Sequence, residues 1–143
     1  MQTFIQTGRQ QVATHARGVR VMLLTDQPEG STGRRLQAYG SLVDPVDDLE
    51  DAVAAVLEDP LGYDLFVMDC DGFGGIPAAE LAISSLISGG ARMRIMLISS
   101  DFDVPAYPLG RRTAVCLPED VEEESFRIGF DHVLRDRATL TLN

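Results

Sequence analysis

Three short apolar runs govern what this chain can fold into: Val19 to Thr25 (VRVMLLT), Asp64 to Asp69 (DLFVMD) and Arg94 to Ser99 (RIMLIS). Each is short for a core helix, and none shows the strict alternation of a strand with one wet face. Nearly continuous apolar strands are those covered on both faces, as in parallel sheets. The segments between them carry helical spacing instead. Ser31 or Thr32 can cap a short helix through Arg34, Arg35, Leu36 and Tyr39, which Gly40 ends. Asp47 or Asp48 caps a helix running to about Glu58, with Leu49, Val53, Val56 and Leu57 on one side; Asp59-Pro60 and Gly62 stop it. Ala78 to Ser88 reads as a helix turning Leu81, Ala82, Ser85 and Leu86 inward. Pro118 to Glu124 starts a last helix, on which Phe126, Phe130, Val133 and Leu134 share a face.

Ser41 to Val46 and Ala114 to Leu117 supply two weaker strands. The alternation of strand and helix predicts an α/β fold, a doubly wound five-stranded parallel sheet with helices on both faces. One connection breaks the pattern. Asp101 to Arg112 contains Pro105 and Pro108, so the helix between the fourth and fifth strands is expected to be atypical or shortened. The chain divides into a polar lead-in over residues 1–18, a domain over 19–136, and a tail over 137–143 in which Thr139 to Leu142 is β-prone. Its 143 residues suit one domain with a substantial core.

Charge narrows the partners. Acidic residues number 22 against 12 basic ones, a formal net charge of -10. That balance repels a phosphate backbone and an anionic membrane, and suits partners with basic patches. Direct binding of nucleic acid or membrane is not expected. All the basic residues are arginine, which excludes lysine Schiff bases and lysine phosphate clamps. Cys70 and Cys116, the only cysteines, end apolar runs and read as core thiols. Two cysteines build no disulfide scaffold, and a cytoplasmic setting is the expectation. No apolar run reaches the roughly 18 residues of a membrane span, and the opening segment lacks the apolar stretch of a secretion signal.

In open parallel sheets the loops at the carboxyl ends of the strands form the binding crevice. Asp26, Asp69, Asp71, Ser99, Ser100, Glu119 and Asp120 fall there. Of these, Asp69 closes a buried strand. LLTDQP, YDLFVMD, IMLISS and CLPED, in that order, give the stretch from Arg20 to Arg135 a pattern that resembles the CheY-like receiver domains of two-component response regulators. In that family two acids follow the first strand, an aspartate ending the third strand accepts a phosphoryl group, a Ser or Thr ends the fourth, and a lysine follows the fifth. The resemblance implies a receiver (flavodoxin-like) architecture, with Asp69 as phosphoacceptor and Ser99 as the hydroxyl residue. It also implies a Mg²⁺ ion at Asp26 and Asp69, with Asp71 standing in for the missing acid.

The departures are chemical. Thr25 occupies the first position of the acid pair, and Glu119 falls where the family carries lysine. Cys116 lies near the position of the usual aromatic switch, and Cys70-Asp71-Gly72-Phe73-Gly74-Gly75 replaces the usual proline-bearing loop. Phosphoryl transfer to a carboxylate needs a cation over the transferring oxygens and donors for the developing charge. Glu119 opposes that. Arg111 or Arg112 is the nearest substitute in sequence, but arginine is not an equivalent point charge.

The expected function is therefore an atypical two-component signalling receiver acting mainly as a protein-interaction module, with Mg²⁺-dependent phosphorylation on Asp69 as a secondary capacity. Its expected partners are a sensor kinase, another signalling protein or a second copy of itself, docking on faces that include Asp101 to Phe126. Three alternatives stand beside it. One is a fully active stand-alone phosphoacceptor. Another is a haloacid-dehalogenase-like phosphatase, since Asp69-Cys70-Asp71-Gly72 resembles that family's first motif, with Asp69 as nucleophile and Asp71 as acid/base. A third starts from Gly30-Ser31-Thr32-Gly33, a loop of the kind that cradles flavin phosphate. His15 and His132 have no partner spacing that suggests metal binding or phosphorelay.

Overall fold

The apolar runs become the middle of one sheet. In the computed structural model, which describes residues 18–110 and 113–142, five strands pair in parallel: β1 (Arg20–Leu24), β2 (Leu42–Val46), β3 (Leu65–Asp69), β4 (Arg94–Ser99) and β5 (Val115–Pro118). Their order is β2-β1-β3-β4-β5. The three continuous runs are therefore the three interior strands, and their residues are almost wholly buried. β2 lies at an edge and shows it, with Asp44 and Pro45 in its sequence and Leu42 60% exposed. Proline is tolerated at such an edge because it has no N–H to offer a neighbour.

Successive strand residues point to opposite faces, so each buried run feeds two cores. Val21, Leu23, Val67 and Met96 face α1 (Ser31–Ala38) and α4 (Glu123–Leu142), meeting Leu36, Phe126 and Phe130. Met22, Leu24, Phe66 and Leu97 face α2 (Leu49–Glu58) and α3 (Gly75–Ser88), meeting Val56, Ala79 and Leu86. The doubly wound arrangement expected from the sequence is the one observed. No helix among the described residues is long and apolar enough to cross a membrane.

Several details differ from expectation. Asp48, one of the two proposed caps, accepts the Asp51 N–H at 2.9 Å. α1, however, is preceded by Gly30 with no side-chain cap, so neither Ser31 nor Thr32 caps it; both belong to its first turn. α3 begins at Gly75 rather than Ala78. Gly74 and Gly75 take φ of 104° and 77°, a left-handed conformation open to glycine, and turn the chain from the 3-10 segment Cys70–Phe73 into the helix. Ala82 and Leu86 are buried as expected, but Leu81 is 73% exposed and Ser85 is exposed as well, and Ala79 is buried beside them. The helix is apolar nearly all round, so hydrophobicity alone did not set its rotation, and the small alanines lie against the strands. On α2 the buried pair is Ala52 and Val56, with Leu57 turned outward. Cys70 is buried but Cys116 is only half-buried, and both are free thiols.

The β-prone tail is a correction too: α4 runs on to Leu142. Extending an existing helix by one residue costs far less than starting a new element. The lead-in up to residue 17, and Arg111 and Arg112, lie outside the described residues.

Between β4 and β5 the alternation of strand and helix breaks, as the two prolines led one to expect. The described part of this connection contains no helix; Ala106 instead bridges Cys116 antiparallel. Pro105 and Pro108 account for this, since each removes a helical donor and crowds the preceding turn.

Phe126 is fully buried between α4 and the sheet. Phe126→Ala is expected to cost about 3–5 kcal/mol of stability in urea denaturation. Leu81→Ala is expected to stay within about 0.5 kcal/mol; a large loss there would restore the inward reading of that side chain.

Candidate functional site: a carboxylate-lined cleft

Parallel register brings the carboxyl ends of β1, β3 and β4 together. Leu24 pairs Met68, and Asp69 pairs Ile98. Beyond them opens a cleft of about 390 Å³ lined by Asp26, Asp69, Asp71 and Glu119, with Gln27, Gly30, Ser31, Thr32, Gly72 and Ile98. Four of the seven residues expected at this crevice line it. Ser99 and Ser100 stand behind Asp71, and Asp120 is not part of the lining.

Asp69 closes β3 and is only partly exposed. Thr32 Oγ1 on the first turn of α1 donates to Asp69 Oδ1 at 3.5 Å. Burial pushes the Asp69 carboxyl above its ordinary value; the hydroxyls of Thr25 and Thr32 work against that, and the charges of Asp26 and Asp71 add to it. Thr25 is itself buried and accepts the Gln27 N–H at 3.0 Å. The position where the resemblance called for an acid thus supplies a hydroxyl instead.

Asp71 behaves oppositely. The 3-10 segment carries it across to the end of β4, where its two oxygens are both taken. Ser99 Oγ donates to Oδ1 at 2.8 Å and the Ser100 N–H to Oδ2 at 2.9 Å. The Ser100 amide first, then the Ser100 and Ser99 side chains, hold this exposed carboxyl below its ordinary value. A serine hydroxyl has one proton to give, and Ser99 gives it to Asp71. Ser99 Oγ also accepts the Asp101 N–H at 3.1 Å.

Asp26 is exposed at the turn after β1 and packs on Gly72. A Cβ at Gly72 would stand 2.8 Å from Asp26 Oδ2, so a side chain there would displace the carboxylate. Asp26, Asp69 and Asp71 all line the cleft. Among the described residues, however, no group of three or more His, Cys, Asp or Glu side chains is gathered so as to hold a metal ion.

Sequence reasoning missed Thr32, Gly72 and Gln27 as parts of the site. Thr32 had been noticed only in the Gly30-Ser31-Thr32-Gly33 loop; that loop does reach the cleft, but there its threonine holds Asp69.

No known protein family matches the sequence, and no curated protein matches it. Among solved structures, the receiver domain from the hybrid histidine kinase CckA is similar, with a TM-score of 0.61 and 18% identity over 82% of this chain and 99% of that one. The likeness shows the fold: the chain has the five-stranded, doubly wound architecture of a receiver domain, with an atypical connection between β4 and β5.

A carboxyl with a raised value holds its proton more tightly folded than unfolded. Its contribution therefore favours the fold below the ordinary carboxylate range and is lost as pH rises through the raised value. Asp69→Asn removes that charge while keeping an oxygen for Thr32. It is expected to raise the melting temperature at about pH 7, with the gain shrinking toward about pH 3. Calorimetry across that range checks this, and a gain that does not depend on pH would contradict it.

Proposed function

We propose that this chain is an atypical signalling receiver that works mainly by binding other proteins, with Asp69 taking phosphate weakly or not at all. The observation that carries this reading is the cleft's charge. Glu119 joins Asp26, Asp69 and Asp71 on its wall, and no arginine is among the described lining residues. An incoming phosphoryl group brings negative charge into a site already lined by carboxylates, and electrostatic stabilisation of that charge is the main thing such a site must provide. Mg²⁺ held at Asp26 and Asp69 would neutralise part of it, since that ion is commonly bound through one or two carboxylates and keeps several waters. The Ser99 proton, engaged with Asp71, is not directed at a phosphoryl oxygen.

The proposed partners are a sensor kinase, another signalling protein or a second copy of the chain. The supporting features are the receiver-type fold and the acidic balance, which favours basic docking patches. The phosphatase alternative asks Asp71 to deliver a proton near neutrality. Its carboxyl is held below its ordinary value by the Ser100 amide, which favours the ionised form, so this geometry gives that alternative no support.

Incubation with Mg²⁺ and a small acyl-phosphate donor, read by intact mass, tests the proposal. No phosphate-sized gain is expected from the folded parent over hours. Glu119→Lys, which replaces a repelling charge with an attracting one, is expected to label more than the parent. A strong Mg²⁺-dependent gain in the parent, lost in Asp69→Asn, would overturn the proposal in favour of an active phosphoacceptor.

A further inference from the structure

The connection after β4 is a strap rather than a loose loop. Ser100 to Gly110 leaves the cleft, crosses to the free edge of β5 and reaches α4. Among the described residues its hydrogen bonds gather at three places, and Phe102 packs against the core between the first two. At the cleft, both oxygens of Asp71 are bound, by Ser99 Oγ at 2.8 Å and the Ser100 N–H at 2.9 Å, while Ser99 Oγ accepts the Asp101 N–H at 3.1 Å. On β5, Ala106 and Cys116 exchange both backbone hydrogen bonds, at 2.8 and 3.0 Å. On α4, Tyr107 Oη donates to the Ser125 carbonyl at 3.0 Å, and His132 Nε2 lies 2.8 Å from the Pro108 carbonyl.

The three fastenings are not alike. The second and third join the strap to the elements it covers. The first joins it to Asp71, a residue that also lines the cleft. Pro105 and Pro108 have no N–H, so the strap cannot add further donors there to tighten its hold on β5. Phe102 and Tyr107 pack against the two cores, and of the strap's hydrogen bonds among the described residues the charge-assisted pair at Asp71 belongs to the stronger class.

We infer that Asp71 is a latch that couples the cleft to the strap: its carboxylate, on the cleft wall, holds the segment that closes the edge of β5. This goes beyond the signalling reading above and does not depend on Asp69 taking phosphate. A group inside the cleft that competes for the Asp71 oxygens loosens the strap in the same way as removing them.

Residue-resolved amide hydrogen exchange tests the latch. Asp71→Ala is expected to speed exchange at Ala106 and Cys116 by about tenfold or more, the size set by losing hydrogen bonds to a charged group, with the amides of β1 and β3 unchanged. Asp71→Asn keeps an oxygen for the Ser100 N–H and an amide group for Ser99 Oγ, and is expected to stay close to the parent. Unchanged exchange at Ala106 and Cys116 in Asp71→Ala would overturn the inference. If Asp71→Ala does not fold, Ser99→Ala, which deletes the Ser99 Oγ bonds to Asp71 and to the Asp101 N–H but leaves the Ser100 N–H on Asp71, is read by the same criterion. Equal acceleration in all strands overturns it as well, because Asp71 would then support the fold at large and not the strap.

Discussion

Everything at the cleft depends on the pairing of β3 between β1 and β4. That strand is covered above, below and on both sides, so its register cannot slip without exposing an entire face of apolar residues. The register sets where it ends, and Asp69 is its last residue. A carboxylate in that place is inevitably half-withdrawn from water. Its neighbours then decide its chemistry: two threonine hydroxyls support the charge, and two aspartates oppose it. The opposite behaviour of Asp71, two residues on, shows how local such control is. One turn of chain moves a carboxyl from a desolvated strand end to a rim where an amide and hydroxyls stabilise its charge.

The fold was largely legible because its strongest determinants are periodic. Runs buried on both faces announce interior strands, and the spacing of Phe126, Phe130, Val133 and Leu134 announces the helix packed on them. What the pattern did not settle was rotation and extent. α3 is apolar on most sides, so the inward set was only half legible: Ala82 and Leu86 turn inward as expected, while Leu81 and Ser85 face solvent and Ala79 is buried. The end of α4 was obscured by the β-branched Thr139 and Thr141, whose weak preference for strand is overridden by a helix already formed. Of the site, the carboxylates were legible because their positions follow strand ends. Thr32 and Gly72 were not, because what matters there is proximity across the fold: one hydroxyl reaching Asp69, and one missing side chain making room for Asp26.

The cleft combines a receiver-type frame with a changed electrostatic content. Thr25 and Glu119 act at different ranges. Thr25 offers Asp69 a short-range hydroxyl and adds no charge. Glu119 adds a further charge to the cleft lining, and in a partly enclosed site such a charge is screened less than it would be in open water. Four carboxylates on one cleft make it more hospitable to cationic groups than to anions.

The strap also bears on how molecules of this protein meet each other at high concentration. A parallel sheet with open ends offers unpaired backbone groups that can recruit another chain and seed aggregation. Here β5 is bridged by Ala106 at one end, and β2 carries Pro45 and Asp44 at the other. Both margins of the sheet are thus poor templates for growth by strand addition. Self-association, where it occurs, is steered toward helix faces and loops, where side chains rather than backbone choose the partner.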